Sequence, residues 1–140
     1  MFQRDYWSSI PIAIALAVTS VSPALAQAIT ISPASQPIQV SGRSGGPQKD
    51  SSCAGFVAPA PNHVVQVTED TDLRFVLQGE GQLALLIRSS TGKSFCVPAD
   101  SYSQGKVEIP GRWRKGTYSV FVGDRANESH AYTLQIARSQ

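Results

Sequence analysis

The sequence predicts an all-β fold, an antiparallel β-sandwich of jelly-roll type with about seven to eight short strands. Three observations predict it. From Cys53 onward, short apolar runs alternate with Gly, Pro, Asp and Ser turns at roughly the 8–12-residue spacing of all-β domains. Within several runs, apolar and polar residues alternate with the period-two rhythm of a half-buried strand. Beyond the first 26 residues, no window sustains a helical repeat. A small barrel satisfies the same pattern. A chain of 140 residues with 41% hydrophobic content has material for one core. Its net charge of +2 is too small to make an extended nucleic-acid-binding surface.

Residues 1–26 read as a secretory signal peptide. Arg4 precedes the apolar run Ile10–Val18, and Ala24-Leu25-Ala26 supplies the small residues of a cleavage site. Ala26-Gln27-Ala28 offers a second site, so the mature chain is expected to begin at Gln27 or Ile29. Pro11 interrupts the apolar run, which falls short of the ~20 residues needed to cross a bilayer. No integral membrane segment is expected after cleavage, and the destination is periplasmic or extracellular. Residues 27–52, rich in Pro, Ser, Gln and Gly, read as a flexible leader in which Ile38-Gln39-Val40 can form an edge strand.

Residues 53–140 carry the expected domain. Val64–Val67 forms a strand that ends in the acidic turn Glu69-Asp70-Thr71-Asp72. Leu73, Phe75 and Leu77 share one face of the next strand. Leu83–Ile87 is apolar on both faces, the mark of a central strand. Ser89–Lys93 makes a hairpin turn into Phe95-Cys96-Val97, and Val107–Ile109 follows a Pro/Gly-containing loop. Tyr118, Val120 and Val122 share one face, as do Tyr132, Leu134 and Ile136. Cys53 and Cys96 are the only two cysteines, so an exported chain is expected to join them in a disulfide. A metal site on the cysteines would need further ligands, and the only histidines are His63 and His130.

Four features invite a chemical reading. Gly42-Arg43-Ser44-Gly45-Gly46-Pro47 resembles the stretch around the nucleophile of chymotrypsin-like serine proteases, with Arg43 where that family has Asp. That family runs His, Asp, Ser along the chain, whereas both histidines here follow Ser44, and no base is identifiable for the hydroxyl. The expected reading is a flexible Gly/Ser segment. Asp70, Asp72 and Asp100 are the candidate calcium ligands, because turns at a sandwich edge can pool carboxylates and carbonyls. The competing reading is solvated β-turns. Arg112-Trp113-Arg114-Lys115 is the candidate ligand-binding turn: an exposed indole can stack on a sugar while the cations meet an anion. The alternative is a core Trp with neighbouring charges reaching into solvent. His63, at the entry to a strand, and His130, in the loop before the last strand, show no ligand or acid–base spacing, and Asn127-Glu128-Ser129, a glycosylation pattern, reads as a hairpin turn.

Cys53–Val57, Pro61–Val65, Leu83–Ile87, Ser94-Phe95-Cys96, Pro110–Trp113, Gly116–Asp124 and Tyr132–Ile136 together resemble the bacterial pre-peptidase C-terminal domain. They are similar in particular to its stand-alone, short exported relatives in cyanobacteria. The resemblance covers about residues 53–136 and is most specific at Gly116-Thr-Tyr-Ser-Val-Phe-Val-Gly-Asp124. It implies a non-catalytic jelly-roll sandwich of a kind usually attached to secreted hydrolases, where it aids binding, secretion or stability. That family often has an acidic pair after the segment matching Phe95-Cys96, where this chain has only Asp100. No catalytic residues are expected. The leading functional expectation is a non-enzymatic exported module that binds an envelope polysaccharide or an exported protein. The alternatives are an assembly protein acting through edge-strand pairing at Ile38–Val40 and a small secreted hydrolase using His63 or His130.

Overall fold

The computed structural model describes residues 28–100, 102 and 104–139, so the expected signal peptide lies outside the described residues. Among these residues there are eleven strands and no helix. The strands are β1 (Ala28–Ile31), β2 (Ile38–Arg43), β3 (Gln48–Lys49), β4 (Phe56–Val57), β5 (His63–Val67) and β6 (Thr71–Gly79). They continue with β7 (Leu83–Ser89), β8 (Ser94–Pro98), β9 (Lys106–Trp113), β10 (Gly116–Asp124) and β11 (Ala131–Arg138).

Two sheets form the sandwich. In the first, β7 takes one edge of β10 and carries β8 outside it. The other edge of β10 is shared by β5, which pairs β1, and by β4, which pairs β3. The second sheet runs β2-β11-β6-β9. Every pairing is antiparallel except β1 with β5.

The alternation read from the sequence fills the space between the sheets. Val65, Leu85, Ile87, Val120 and Val122 of the first sheet meet Leu73, Phe75, Leu77, Leu134 and Ile136 of the second, all of them buried. Each such side chain contributes about 1.5–3 kcal/mol by leaving water. Leu83–Ile87 was expected to be central because it is apolar on both faces, and its register explains why. Leu83, Leu85 and Ile87 point between the sheets, while Ala84 and Leu86 join Phe121, Ala54 and Val57 in a second cluster. That cluster lies on the outer face of the first sheet, beneath the chain segment that leads through β3 and β4.

This segment corrects the expectation of a flexible leader over 27–52. β1 pairs β5 over four residues, and β2 pairs β11 from Ile38 to Arg43. Ile29 and Ile31 are buried, with Ile38 and Val40 packed on the same core. The physical reason is that four apolar residues at period two suffice to seat two short strands, even in a Pro/Ser-rich background. Ile38–Val40 does form an edge strand, as expected.

The disulfide staples the covering segment to the outer face. Cys53 and Cys96 are joined, with Cα atoms 5.8 Å apart, and Cys96 sits opposite Leu86 in the β7–β8 register. Arg88 pairs Asp50 at 2.7 Å on the same face and lies over the Phe121 ring. Gly123 permits the close approach: a Cβ there would meet the Ala54 carbonyl oxygen at 2.2 Å.

Candidate ligand-binding groove

At one end of the sandwich, the edges β8 and β9 leave a groove of about 380 Å³. Ser89, Thr91 and Lys93 of the β7–β8 turn, Phe95, and the run Arg112–Gly116 line it, with Tyr118 at its base. The register sets this up. Phe95 pairs Ile87 and therefore points toward the space between the sheets, yet it sits at the lip and stays 45% exposed. Trp113, the last residue of β9, pairs Thr71 and is 5% exposed. Its ring centroid lies 4.7 Å from Phe75, 5.6 Å from Phe95 and 5.1 Å from Tyr118, the last two edge-on, as ring quadrupoles favour.

The cationic turn is held from two sides. Tyr118 donates its hydroxyl to the Arg114 carbonyl at 2.6 Å, and the Lys115 N–H donates to Asp70 at 2.9 Å. Burial pushes the Tyr118 phenol above its ordinary value, so it remains a donor across the physiological range. Arg112 reaches Asp72 at 3.5 Å in an exposed pair. Among the described residues, the side chains of Lys93, Arg114 and Lys115 have no ion-pair partner. The groove therefore presents an exposed ring on an aromatic floor with cations at its rim, and no carboxylate lines it.

The four residues of the expected binding turn are thus together, but Trp113 is a core residue rather than a stacking surface. Phe95 occupies the exposed position. Sequence reading passed over Phe95, Lys93 and Tyr118. The one available signal was alternation, which places Phe95 opposite in sense to the disulfide-bonded Cys96.

The expected calcium set is not brought together. Asp70 accepts from Lys115 and Asp72 faces Arg112 at the Thr71 end of β6. Asp100 accepts from the Tyr102 N–H beside Gly81 and Gly105, at the opposite end of that nine-residue strand. At ~3.3 Å per residue the two ends are roughly 25 Å apart, so no single cation spans them. Among the described residues, no three His, Cys, Asp or Glu side chains form a group able to hold a metal ion.

Ser44 is buried rather than flexible, and its surroundings are structural. Its hydroxyl donates to Asp124 Oδ2 at 3.1 Å and accepts from the His130 backbone N–H at 2.9 Å. Asp124 is fully buried. It also receives His130 Nδ1 at 2.8 Å and the N–H groups of Ala126 and Glu128. Burial opposes its charge, but hydrogen bonds from His130, Ala126, Glu128 and Ser44 outweigh it and hold the carboxyl below its ordinary range. The imidazole is directed at the carboxylate and not at the hydroxyl, so Ser44 lacks the base that a nucleophile needs. The group ties the β2–β3 loop to the β10–β11 turn, where Asn127 adopts the left-handed conformation at φ 56°. His63 is used otherwise, with Nε2 at 2.8 Å from the Tyr132 hydroxyl.

No protein-family model matches the chain. An uncharacterized protein of Synechococcus elongatus is 33% identical over 139 residues, covering 94% of this chain and 96% of its own. Among solved structures, the pre-peptidase C-terminal domain of a Bacillus anthracis collagenase superposes with a TM-score of 0.54. It covers 82% of this chain and 99% of its own at 11% identity, a likeness of fold. A periplasmic inhibitor of g-type lysozyme from Aeromonas hydrophila covers 82% of this chain and 100% of its own at 10% identity, with a TM-score of 0.40. The chain belongs to the family of the Synechococcus elongatus protein and is a β-sandwich like the pre-peptidase C-terminal domain.

Proposed function

We propose that the protein is an exported, non-catalytic binding module that holds a cell-envelope polysaccharide in the groove between β8 and the β9–β10 turn. One observation carries the reading: Phe95 is left 45% exposed on an aromatic floor whose rim bears Lys93, Arg112, Arg114 and Lys115. A large apolar ring held open to water by a rigid sheet, with donors around it, is what a sugar face and its substituents require. The disulfide supports export, since such bonds persist in oxidising compartments. No helix among the described residues is long and apolar enough to cross a membrane. Non-catalytic action is supported by the directions of Ser44, His63 and His130, each of them committed to a structural hydrogen bond.

The test is retention of the oxidised, exported protein on separated envelope polysaccharide and protein fractions. Retention on polysaccharide that Phe95→Ala removes is the expected result, and retention on protein alone contradicts the choice of ligand. Phe95 is the right position, because truncating the buried Trp113 would confound binding with folding.

A second reading rests on β2. Among the described residues its outer edge is unpaired, and Ile38–Val40 carries neither Pro nor charge. The edge strand β9 is instead guarded by Lys106, Glu108, Pro110 and Arg112. A self-associating or partner-binding edge would act through β2, and analytical ultracentrifugation with Val40→Pro tests it. Unchanged association in that variant removes the reading.

A further inference from the structure

We infer that the groove is selective for an acidic glycan, and that an anionic oxygen of that glycan is received by the indole N–H of Trp113 through a notch at Gly111. The inference rests on the reading above and deepens it. Trp113 Nε1 is buried and has no hydrogen-bond partner. Buried indole N–H groups ordinarily find an acceptor, and leaving one without costs free energy. The donor faces a specific gap. Gly111 lies on the inward-facing row of β9, two residues before Trp113, yet it is exposed. A Cβ built at Gly111 would have a single neighbour within 4 Å, Trp113 Nε1 at 3.8 Å. The backbone there does not require glycine, since Gly111 has no positive φ. A strand glycine without a conformational reason leaves room for another molecule to come close.

The chemistry of the rim sets the occupant. Lys93, Arg112, Arg114 and Lys115 surround the mouth, and no acidic side chain lines it. Arg112 shares its charge with Asp72, while the other three have no ion-pair partner among the described residues. A carboxylate or sulfate on a sugar ring places its oxygens within reach of donors while the ring covers Phe95. A neutral glycan would use the ring surface and leave the cations and the N–H unanswered.

The test titrates the oxidised, exported protein with polygalacturonate, dextran sulfate, unmodified dextran and polyglutamate, and follows the Trp113 indole N–H resonance alongside affinity. Trp7 lies in the expected signal peptide, so cleavage leaves Trp113 as the sole tryptophan, and mass spectrometry verifies the cut. An anionic glycan is expected to bind about tenfold or more tighter than dextran and to shift the indole N–H downfield. Carboxylate and sulfate are separated by the first two probes. Gly111→Val fills the notch, and it is expected to abolish the indole shift and weaken binding about tenfold while unfolding stays cooperative. If that variant does not fold, Arg114→Ala with Lys115→Ala supplies the same loss of preference. Dextran binding as tightly as the charged glycans overturns this inference and leaves the binding module standing. Polyglutamate binding equally well reduces the site to a charge patch and also overturns it. Failure of every glycan, with no retention on envelope polysaccharide, overturns both.

Discussion

At the scale of single residues, the two aromatic rings at the groove differ in burial, and so in what their removal costs. Trp113 packs against Phe75, Phe95 and Tyr118, so Trp113→Ala is expected to cost about 3–5 kcal/mol in chemical denaturation. Phe95→Ala removes a half-exposed ring, and its stability cost is expected to stay below about 1.5 kcal/mol while ligand retention falls. Equal losses of stability would make Phe95 a packing residue only. Asp124 is the other informative position. Its carboxyl is held below the ordinary range, so the folded state binds its proton less readily than the unfolded chain. The stability it confers is therefore present above the usual carboxylate value and is lost as pH falls through that value toward the folded one. Asp124→Asn is expected to destabilise by about 2–3 kcal/mol at neutral pH, with the gap to the parent protein narrowing in acid unfolding curves below about pH 4. A gap independent of pH would mean that the buried carboxylate is not the source. His63 works in the same direction for a different reason. Burial lowers its pKa, so protonation opposes folding once pH drops below its ordinary value.

At the scale of elements, the strands from β5 to β11 were legible because each carries two or three apolar residues at period two. Leu73, Phe75 and Leu77 in β6, and Tyr132, Leu134 and Ile136 in β11, could have been placed on one face without any structure. β1, β3 and β4 were not legible. β1 has four residues and β3 and β4 two each, too short for periodicity to rise above the Pro/Ser/Gly background. The burial of Ser44 was equally hidden, because it depends on Asp124 and His130, which lie 80 and 86 residues away. Long-range partners of that kind leave no local spacing to read. The groove was half legible: Arg112–Lys115 stand together in sequence, whereas Phe95 joins them only because β8 and β9 are edges on the same flank. The correction at β1 and β2 changes what a deletion does. Removing residues 28–50 strips Ile29, Ile31, Ile38 and Val40 from the core. At about 1.5–3 kcal/mol per side chain, that loss is comparable to the whole stability of a small domain. The shortened chain is expected to lose cooperative thermal unfolding, and a sharp transition at the parent temperature would show that the two strands are dispensable.

At the scale of the whole molecule, the architecture is a two-sheet core with a third layer clasped to one face. The covering segment is held by the disulfide, by Asp50 with Arg88, and by the hydrogen bonds of Ser44 to Asp124 and His130. The disulfide and the Asp50–Arg88 pair lie on the outer face of the first sheet and the Ser44 bonds at the β10–β11 turn, whereas the groove lies at the β8–β9 edge. Replacing both cysteines by serine is expected to cost about 2–4 kcal/mol. Hydrogen exchange should then show protection lost first across residues 44–57, with the strands around Leu85 and Val120 still protected. Simultaneous loss everywhere would mean that the covering segment and the core form one cooperative unit. Binding at the groove is expected to survive this change at temperatures where the core is folded.

Backbone amide chemical-shift mapping with solubilised envelope polysaccharide would locate the ligand on the proposed glycan-binding groove at the edge of the sandwich. Perturbations are expected to concentrate at Ser89–Phe95 and Gly111–Tyr118 and to be abolished by Phe95→Ala. Perturbations centred on Ile38–Val40, or none at a concentration of polysaccharide that retains the protein, would contradict it.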